Sequence, residues 1–175
     1  MNKIIWLILG IAVGWIVLGT FDNQENQDDP ASTASAERPA PAFELPSLQG
    51  KTYSLQQASG QPLVINFWNT WCKPCRKETP ELVKLYETWH GQFQLYGINI
   101  TANDMPAAAR AFAEDFNIPY PILLDKQGNV SERYNVIGMP TTYFINAKGI
   151  IVDKIVGYQG PDVLRDKVKA LLDGK

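Results

Sequence analysis

Two cysteines, Cys72 and Cys75, stand three positions apart in a chain that has no others. They belong to the segment Trp71-Cys72-Lys73-Pro74-Cys75, set between an apolar run that ends at Trp68 and a stretch with helical spacing. On a helix, a separation of three keeps both sulfurs within one turn and inside the Cα window of about 4.4–6.8 Å that a disulfide needs. Cys72 falls at the helix start, where unpaired N–H groups and the positive end of the dipole favour a thiolate. Lys73 and Arg76 add positive charge nearby. Pro74 is tolerated because the first helical N–H groups have no intrahelical partner. Cys72, at an exposed tip, is the expected attacking nucleophile, and Cys75, one turn inward, the thiol that resolves a mixed disulfide. A structural bridge and a metal site compete for the same pair. Closing so short a loop removes little chain entropy, so the pair makes a poor staple. With one histidine in the chain, no four-ligand structural zinc site can be built from Cys and His alone.

The elements that must hold this pair show in the spacing of apolar residues. Residues 62–68 (PLVINFW) form a compact apolar run suited to a buried strand. Residues 73–89 carry Leu82, Leu85, Tyr86 and Trp89 at helical spacing. Residues 93–100 read as strand, and residues 105–116 as helix with Ala108, Ala111, Phe112 and Phe116 available for one face. A short strand at 122–124 and a short helix at 130–134 follow. Residues 141–145 and 150–156 read as paired strands, and 162–172 as an amphipathic helix started by Pro161 and Asp162. Residues 43–48 and 51–55 flank Gln49-Gly50 as a hairpin. Such an order predicts a three-layer α/β domain with a mixed central sheet flanked by helices.

At 175 residues, 45% hydrophobic and 11% aromatic, the chain holds one domain plus something extra and is too apolar to be wholly disordered. Lys+Arg is 16 against Asp+Glu 18, a net charge of −2, so no basic excess marks nucleic acid as a partner. Residues 4–21 are 18 consecutive positions without a charge, enough to cross a bilayer as a helix. The run is longer than the roughly 7–15 apolar residues of a signal-peptide core and lacks an Ala-x-Ala cleavage site. Residues 1–21 are therefore expected to be an uncleaved membrane anchor, with a cleaved signal and a buried core helix as alternatives. Lys3 precedes the run and Asp22, Glu25, Asp28 and Asp29 follow it, which predicts a single pass of the cytoplasmic membrane with the body on the extracytoplasmic side. Residues 22–42 are acidic, then rich in Ala, Ser and Pro, and read as a flexible spacer. The linker is placed at 22–38 and the domain at 39–175. Through residue 38 the chain has 2 basic and 5 acidic residues, so the body carries −2 − (−3) = +1 and advertises no charged partner.

The WCKPC segment after VINFW, Pro80 in the following helix, and Met139-Pro140-Thr141-Thr142 before a strand together resemble a thioredoxin-fold active site with its cis-proline loop. With the anchor, the hairpin and the extra helix at 105–116, residues 39–173 resemble the membrane-anchored thiol–disulfide oxidoreductases of the ResA/TlpA type. The resemblance implies a thioredoxin fold with an N-terminal β-hairpin and an inserted helix. It implies a cis Pro140 packed on the disulfide and a Met139 main chain offered to a substrate segment as a short β-pairing. Trp71, with Lys73, Pro74 and Thr141, would complete the docking surface; a core position for Trp71 competes. Thioredoxins place a buried Asp six residues before the first cysteine, where this chain has Asn66, which cannot exchange protons. ResA-like proteins carry a Glu six residues after it, here Glu78, which would take the proton of the Cys75 thiol. The competing reading is a solvated Glu beside Lys77. His90 is expected at a helix end facing solvent, and Asn99 and Thr101 suggest no role.

The implied activity is an extracytoplasmic thiol–disulfide oxidoreductase that reduces protein disulfides, such as the haem-binding cysteines of apocytochrome c during cytochrome c biogenesis. A membrane thiol electron donor would restore the reduced pair. No cofactor beyond the Cys72–Cys75 disulfide, and no metal, is expected. The reductive direction comes from the resemblance; cations that stabilise the thiolate favour the opposite sense. A peroxiredoxin would carry Pro-x-x-x-Thr/Ser-x-x-Cys, where this chain has Ile65 and Asn69. A copper-delivery protein on the same fold would separate its cysteines by three residues and add a more distant histidine than His90.

Overall fold

The computed structural model describes residues 38–174. The expected anchor at 1–21 and all of the expected linker except Arg38 lie outside the described residues. Among the described residues, no helix is long and apolar enough to cross a membrane.

Among the described residues, eight strands form two sheets: β1 (Arg38–Pro39), β2 (Glu44–Pro46), β3 (Thr52–Ser54), β4 (Leu63–Trp68), β5 (Gln94–Asn99), β6 (Ile122–Leu124), β7 (Thr141–Ile145) and β8 (Ile150–Val156). The helices are α1 (Lys73–Thr88), α2 (Pro106–Asp115), α3 (Asn129–Arg133) and α4 (Pro161–Asp173), with 3-10 turns at Leu55–Ala58 and Thr101–Asn103. The main sheet runs β1-β8-β7-β4-β5-β6, and β2-β3 form a separate hairpin. β4, β5 and β6 are parallel; β7, β8 and β1 join antiparallel. The expected mixed sheet is thus present, with β4 at its heart.

Alternation along β4 divides the core. Val64 and Trp68 join the layer of α1, α2 and α4, with Leu82, Phe112, Leu164 and Val168. Leu63, Ile65 and Phe67 face the opposite layer, with Phe43, Leu45, Val130 and Tyr134. Burial of each such side chain contributes about 1.5–3 kcal/mol over exposure. In this run Asn66 is the one polar residue, 4% exposed, and it must find partners inside. By the same alternation it points toward α1.

Three expectations are corrected. Arg38 is not linker: it pairs with Ile151 in β1, Ala40 is buried and its N–H donates to Gly149 O (2.9 Å), and the Tyr134 hydroxyl donates to Pro41 O (2.8 Å). The unpaired edge of β8 captures a segment that composition alone marks as spacer. On α2 the buried residues are Ala109 and Phe112, while Ala111 faces solvent. The helix starts at Pro106 and turns a different face inward than the one that includes Ala111. Finally, the hairpin strands are three residues each, because Leu55 already begins a 3-10 turn.

Candidate active site

β4 ends at Trp68, residues 69–72 turn, and α1 begins at Lys73 with Cys72 as its N-cap. Pro74 sits in the first turn, where no donor is needed. Cys72 and Cys75 are bonded, S–S 2.03 Å and Cα–Cα 5.3 Å. The Cys75 N–H donates to Cys72 Sγ at 3.2 Å, so a helix-start donor points at the sulfur that would carry the charge. Lys73 and Pro74 are exposed. Two expectations change here. Cys72 is 5% exposed, not an open tip; Cys75, at 1%, is only slightly deeper. Cys72 joins the buried cluster with Trp68, Leu82 and Phe112. The Arg76 guanidinium lies over the rings of Phe112 and Phe116, 5.2 and 5.1 Å from their centroids, so its charge is stacked on α2.

Glu78 follows Cys75 by three residues, on the same face of α1. It is 2% exposed, which removes the reading of a solvated Glu–Lys77 pair. Asn66 Nδ2 donates to Glu78 Oε2 at 2.7 Å and to Thr142 Oγ1 at 2.9 Å; the Thr142 hydroxyl contacts Glu78 Oε1 at 3.4 Å. Burial pushes the Glu78 carboxyl up from its ordinary 4.5 to about 7, against the lowering effect of the hydrogen bonds from Asn66 and Thr142. A carboxyl so placed holds or releases a proton near neutral pH. Asn66 and Thr142 orient it, a role that sequence reasoning assigned to neither, least of all to Thr142. Its position immediately after Pro140-Thr141 was the available signal.

The Met139–Pro140 peptide is cis. Met139 packs against the cluster that contains both cysteines. Pro140 O accepts from Gly157 N–H (2.7 Å), whereas among the described residues the Met139 main chain has no hydrogen-bond partner. Thr141 stands apart from the docking surface: it is buried, its main chain lies between β4 and β8, and its hydroxyl donates to Gly138 O (2.6 Å). Trp71 is 61% exposed and its Nε1 donates to Asn103 O at 3.0 Å, so the indole is held by its edge with a face to solvent. This excludes a core position for it. Met105 and Ile137, at 67% and 79% exposed, are further large apolar groups at the surface. His90 is exposed and packs edge-on to Tyr86.

Behind the turn lies a polar cluster with no forecast in the sequence. Asp104 accepts from the N–H and hydroxyl of Thr70, from Asn69 and Asn99 Nδ2, and from Met105 N–H. Its acid character before Met105-Pro106, the start of α2, was the one available hint. Burial raises its pKa, but the hydrogen bonds from Thr70, Asn99 and Met105 outweigh this and hold it below the usual carboxylate value.

Residues 36–154 match the family model described as the AhpC/TSA family. The thiol–disulfide oxidoreductase ResA of Bacillus cereus is 32% identical over 172 residues, covering 96% of this chain and 93% of that one. The thiol:disulfide interchange protein DsbE of Pseudomonas fluorescens is 37% identical over 169 residues, covering 94% and 92%. Among solved structures, a putative thiol:disulfide interchange protein DsbE from Chlorobium tepidum superposes with a TM-score of 0.72 at 27% identity, over 78% of this chain and 96% of that one.

Proposed function

The chain belongs to the AhpC/TSA family and is a thiol–disulfide oxidoreductase of the ResA type with a thioredoxin fold, and from that premise we propose that it reduces protein disulfides on the extracytoplasmic side of the cytoplasmic membrane. The observation that carries the mechanism is the Glu78 carboxyl, buried one helical turn from Cys75 and hydrogen-bonded by Asn66 and Thr142. In the reduced enzyme, Cys72 thiolate attacks one sulfur of a substrate disulfide. That S–S bond breaks, its distal sulfur leaves as thiolate, and a Cys72–substrate disulfide forms. Ionised Glu78 takes the proton of the Cys75 thiol. Cys75 thiolate then attacks Cys72 Sγ and expels the second substrate sulfur. Two electrons pass to the substrate, and the Cys72–Cys75 disulfide remains for a membrane dithiol donor to reduce. Trp71, Lys73 and Pro74 border the entry to the disulfide, and the unpaired Met139 main chain offers a substrate strand its hydrogen bonds.

The ResA/TlpA resemblance supports the haem-binding cysteines of apocytochrome c as the substrate, and the uncharged run at 4–21 supports a membrane anchor. A peroxiredoxin mechanism is disfavoured by the positions expected to assist it. Ile65 is core, and the Asn69 amide is engaged by Ile100 O and Asp104.

Incubated with a disulfide-bonded peptide carrying the Cys-x-x-Cys-His haem-attachment pattern, Cys75→Ala is expected to accumulate a mixed disulfide on Cys72, seen by mass spectrometry. Equal trapping by Cys72→Ala would overturn the assignment of nucleophile. An equilibrium potential near −120 mV, that of a strong oxidant, would overturn the reductive direction.

A further inference from the structure

Asp104 takes part in no step above, yet five donors converge on its carboxylate. Oδ2 accepts from Thr70 N–H (2.7 Å), Asn99 Nδ2 (2.9 Å) and Asn69 Nδ2 (3.3 Å); Oδ1 accepts from the Thr70 hydroxyl (2.8 Å) and Met105 N–H (2.9 Å). Three of the five come from residues 69 and 70, immediately before Trp71-Cys72. The same turn is tied to the segment leading into α2 by Asn69 Nδ2 to Ile100 O (2.9 Å) and Trp71 Nε1 to Asn103 O (3.0 Å), and Cys72 N–H returns to Asn69 O (3.3 Å). We propose that Asp104 is a positioning residue which fixes the 69–72 turn and so sets Cys72 Sγ and the Trp71 indole for attack on a substrate disulfide. The proposal rests on the reading of Cys72 as nucleophile.

The surrounding amides show that the site is shaped for an anion. Asn69 and Asn99 are fully buried, both turn Nδ2 toward Asp104, and both leave Oδ1 without a partner among the described residues. A buried polar atom left unpaired is costly. Turning either amide over would bring its oxygen against Oδ2 of Asp104, so that acceptor orients Asn99 and, together with Ile100 O, orients Asn69. The inserted segment between β5 and β6 therefore grips the catalytic turn through the Asp104 side chain and the carbonyls of Ile100 and Asn103, and it grips α1 again where Arg76 stacks on Phe112 and Phe116.

The test compares Asp104→Ala with Asp104→Asn in the full chain. The Asn side chain can keep an oxygen where three donors converge and offer its amide N–H to the Thr70 hydroxyl oxygen, losing only the charge and the Met105 contact. Displacement of a reacting group by an ångström costs on the order of 100-fold in rate. Asp104→Ala should therefore lower the second-order rate constant for reducing a disulfide peptide by about 10- to 100-fold, and Asp104→Asn should restore most of it. The pH midpoint for alkylation of Cys72 by iodoacetamide should rise in Asp104→Ala, because a sulfur no longer seated at the helix start loses the N–H that stabilises its thiolate. Alkylation needs no protein substrate, so it reads the hold on Cys72 even if the proposed substrate class is wrong. If Asp104→Ala does not fold, Thr70→Val, which removes one donor and keeps the N–H, should raise the same midpoint by a smaller amount. A folded Asp104→Ala with wild-type rate and midpoint, an Asp104→Asn as slow as the alanine, or an unshifted Thr70→Val in that fallback overturns the proposal.

Discussion

Glu78→Gln removes the one buried group, among the described residues, whose proton equilibrium is moved into the neutral range, and the structure sets the size of the effect. The carboxyl goes from an ordinary 4.5 to about 7, chiefly by burial, in a site where the side chain is 2% exposed. A folded-state pKa above the unfolded one means that the native protein binds more protons in that interval. Its contribution to stability is fully present below about pH 4.5 and is lost as pH rises through about 7. At about 1.36 kcal/mol per pKa unit, the loss across that window is about 3 kcal/mol. Gln imitates the neutral acid, can still accept from Asn66 Nδ2, and has no proton to lose. Guanidinium unfolding of the disulfide-bonded protein between pH 4 and 8 should show wild type and variant converging at the acid end. The variant should be the more stable by about 3 kcal/mol at pH 8. In the same variant, the pH dependence of disulfide exchange should lose its inflection near 7, because no carboxylate forms to accept the Cys75 proton. A difference in unfolding free energy that stays flat across the window would refute the argument, since Glu78 would then titrate as a solvated carboxylate does.

Two further outcomes follow from packing. A Cβ added at Gly97 would stand 2.7 Å from Ile122 Cδ1, 3.2 Å from Trp68 Nε1 and 3.3 Å from the Tyr120 ring, so Gly97→Ala should destabilise by about 1–3 kcal/mol in denaturant unfolding; an unchanged midpoint would contradict the contact. Tyr134→Phe deletes the hydroxyl that donates to Pro41 O, and should cost about 1 kcal/mol and speed amide hydrogen exchange at Arg38 and Ala40, while unaltered exchange there would show that the bond does not hold the entering segment.

The two motifs that border the disulfide, WCKPC and MPTT, are both contiguous in sequence and both adjoin strands whose apolar runs are unmistakable, so the site's centre was legible from the chain alone. β4, α1, β7, β8 and α4 begin and end close to where apolar spacing puts them, because each buries a face wide enough to leave a periodic trace. Arg38-Pro39 leaves none: two residues have no period, and what recruits them is the open edge of β8. Helix-start position alone marks Cys72 as exposed; the turn that carries it is tied by hydrogen bonds to residues 100–104, about thirty positions away, which leave no local trace. Arg76 was assigned to the thiols by proximity along α1, whereas two aromatic faces on α2 hold its cation. Asp104, Asn69 and Asn99 read as ordinary loop and strand polar residues until tertiary contact gathers them. Glu78 was reached by resemblance, and its burial follows from the side of α1 that packs on β4.

The strand formed by Arg38–Pro39 has a consequence beyond anchoring the start of the domain. Left bare, the seven residues of β8 would offer a row of unpaired amides to any extended chain, and the far border of the sheet, β6, would do the same. One border is capped at Ile150 and Ile151 by two residues, the second a proline that cannot donate. The other is crossed by Leu48 N–H to Ile122 O and by the bridge of Ser47 with Leu123. An enzyme whose work is to meet the cystines of other polypeptides thereby shortens the stretch of open sheet edge on which those polypeptides could stack and aggregate.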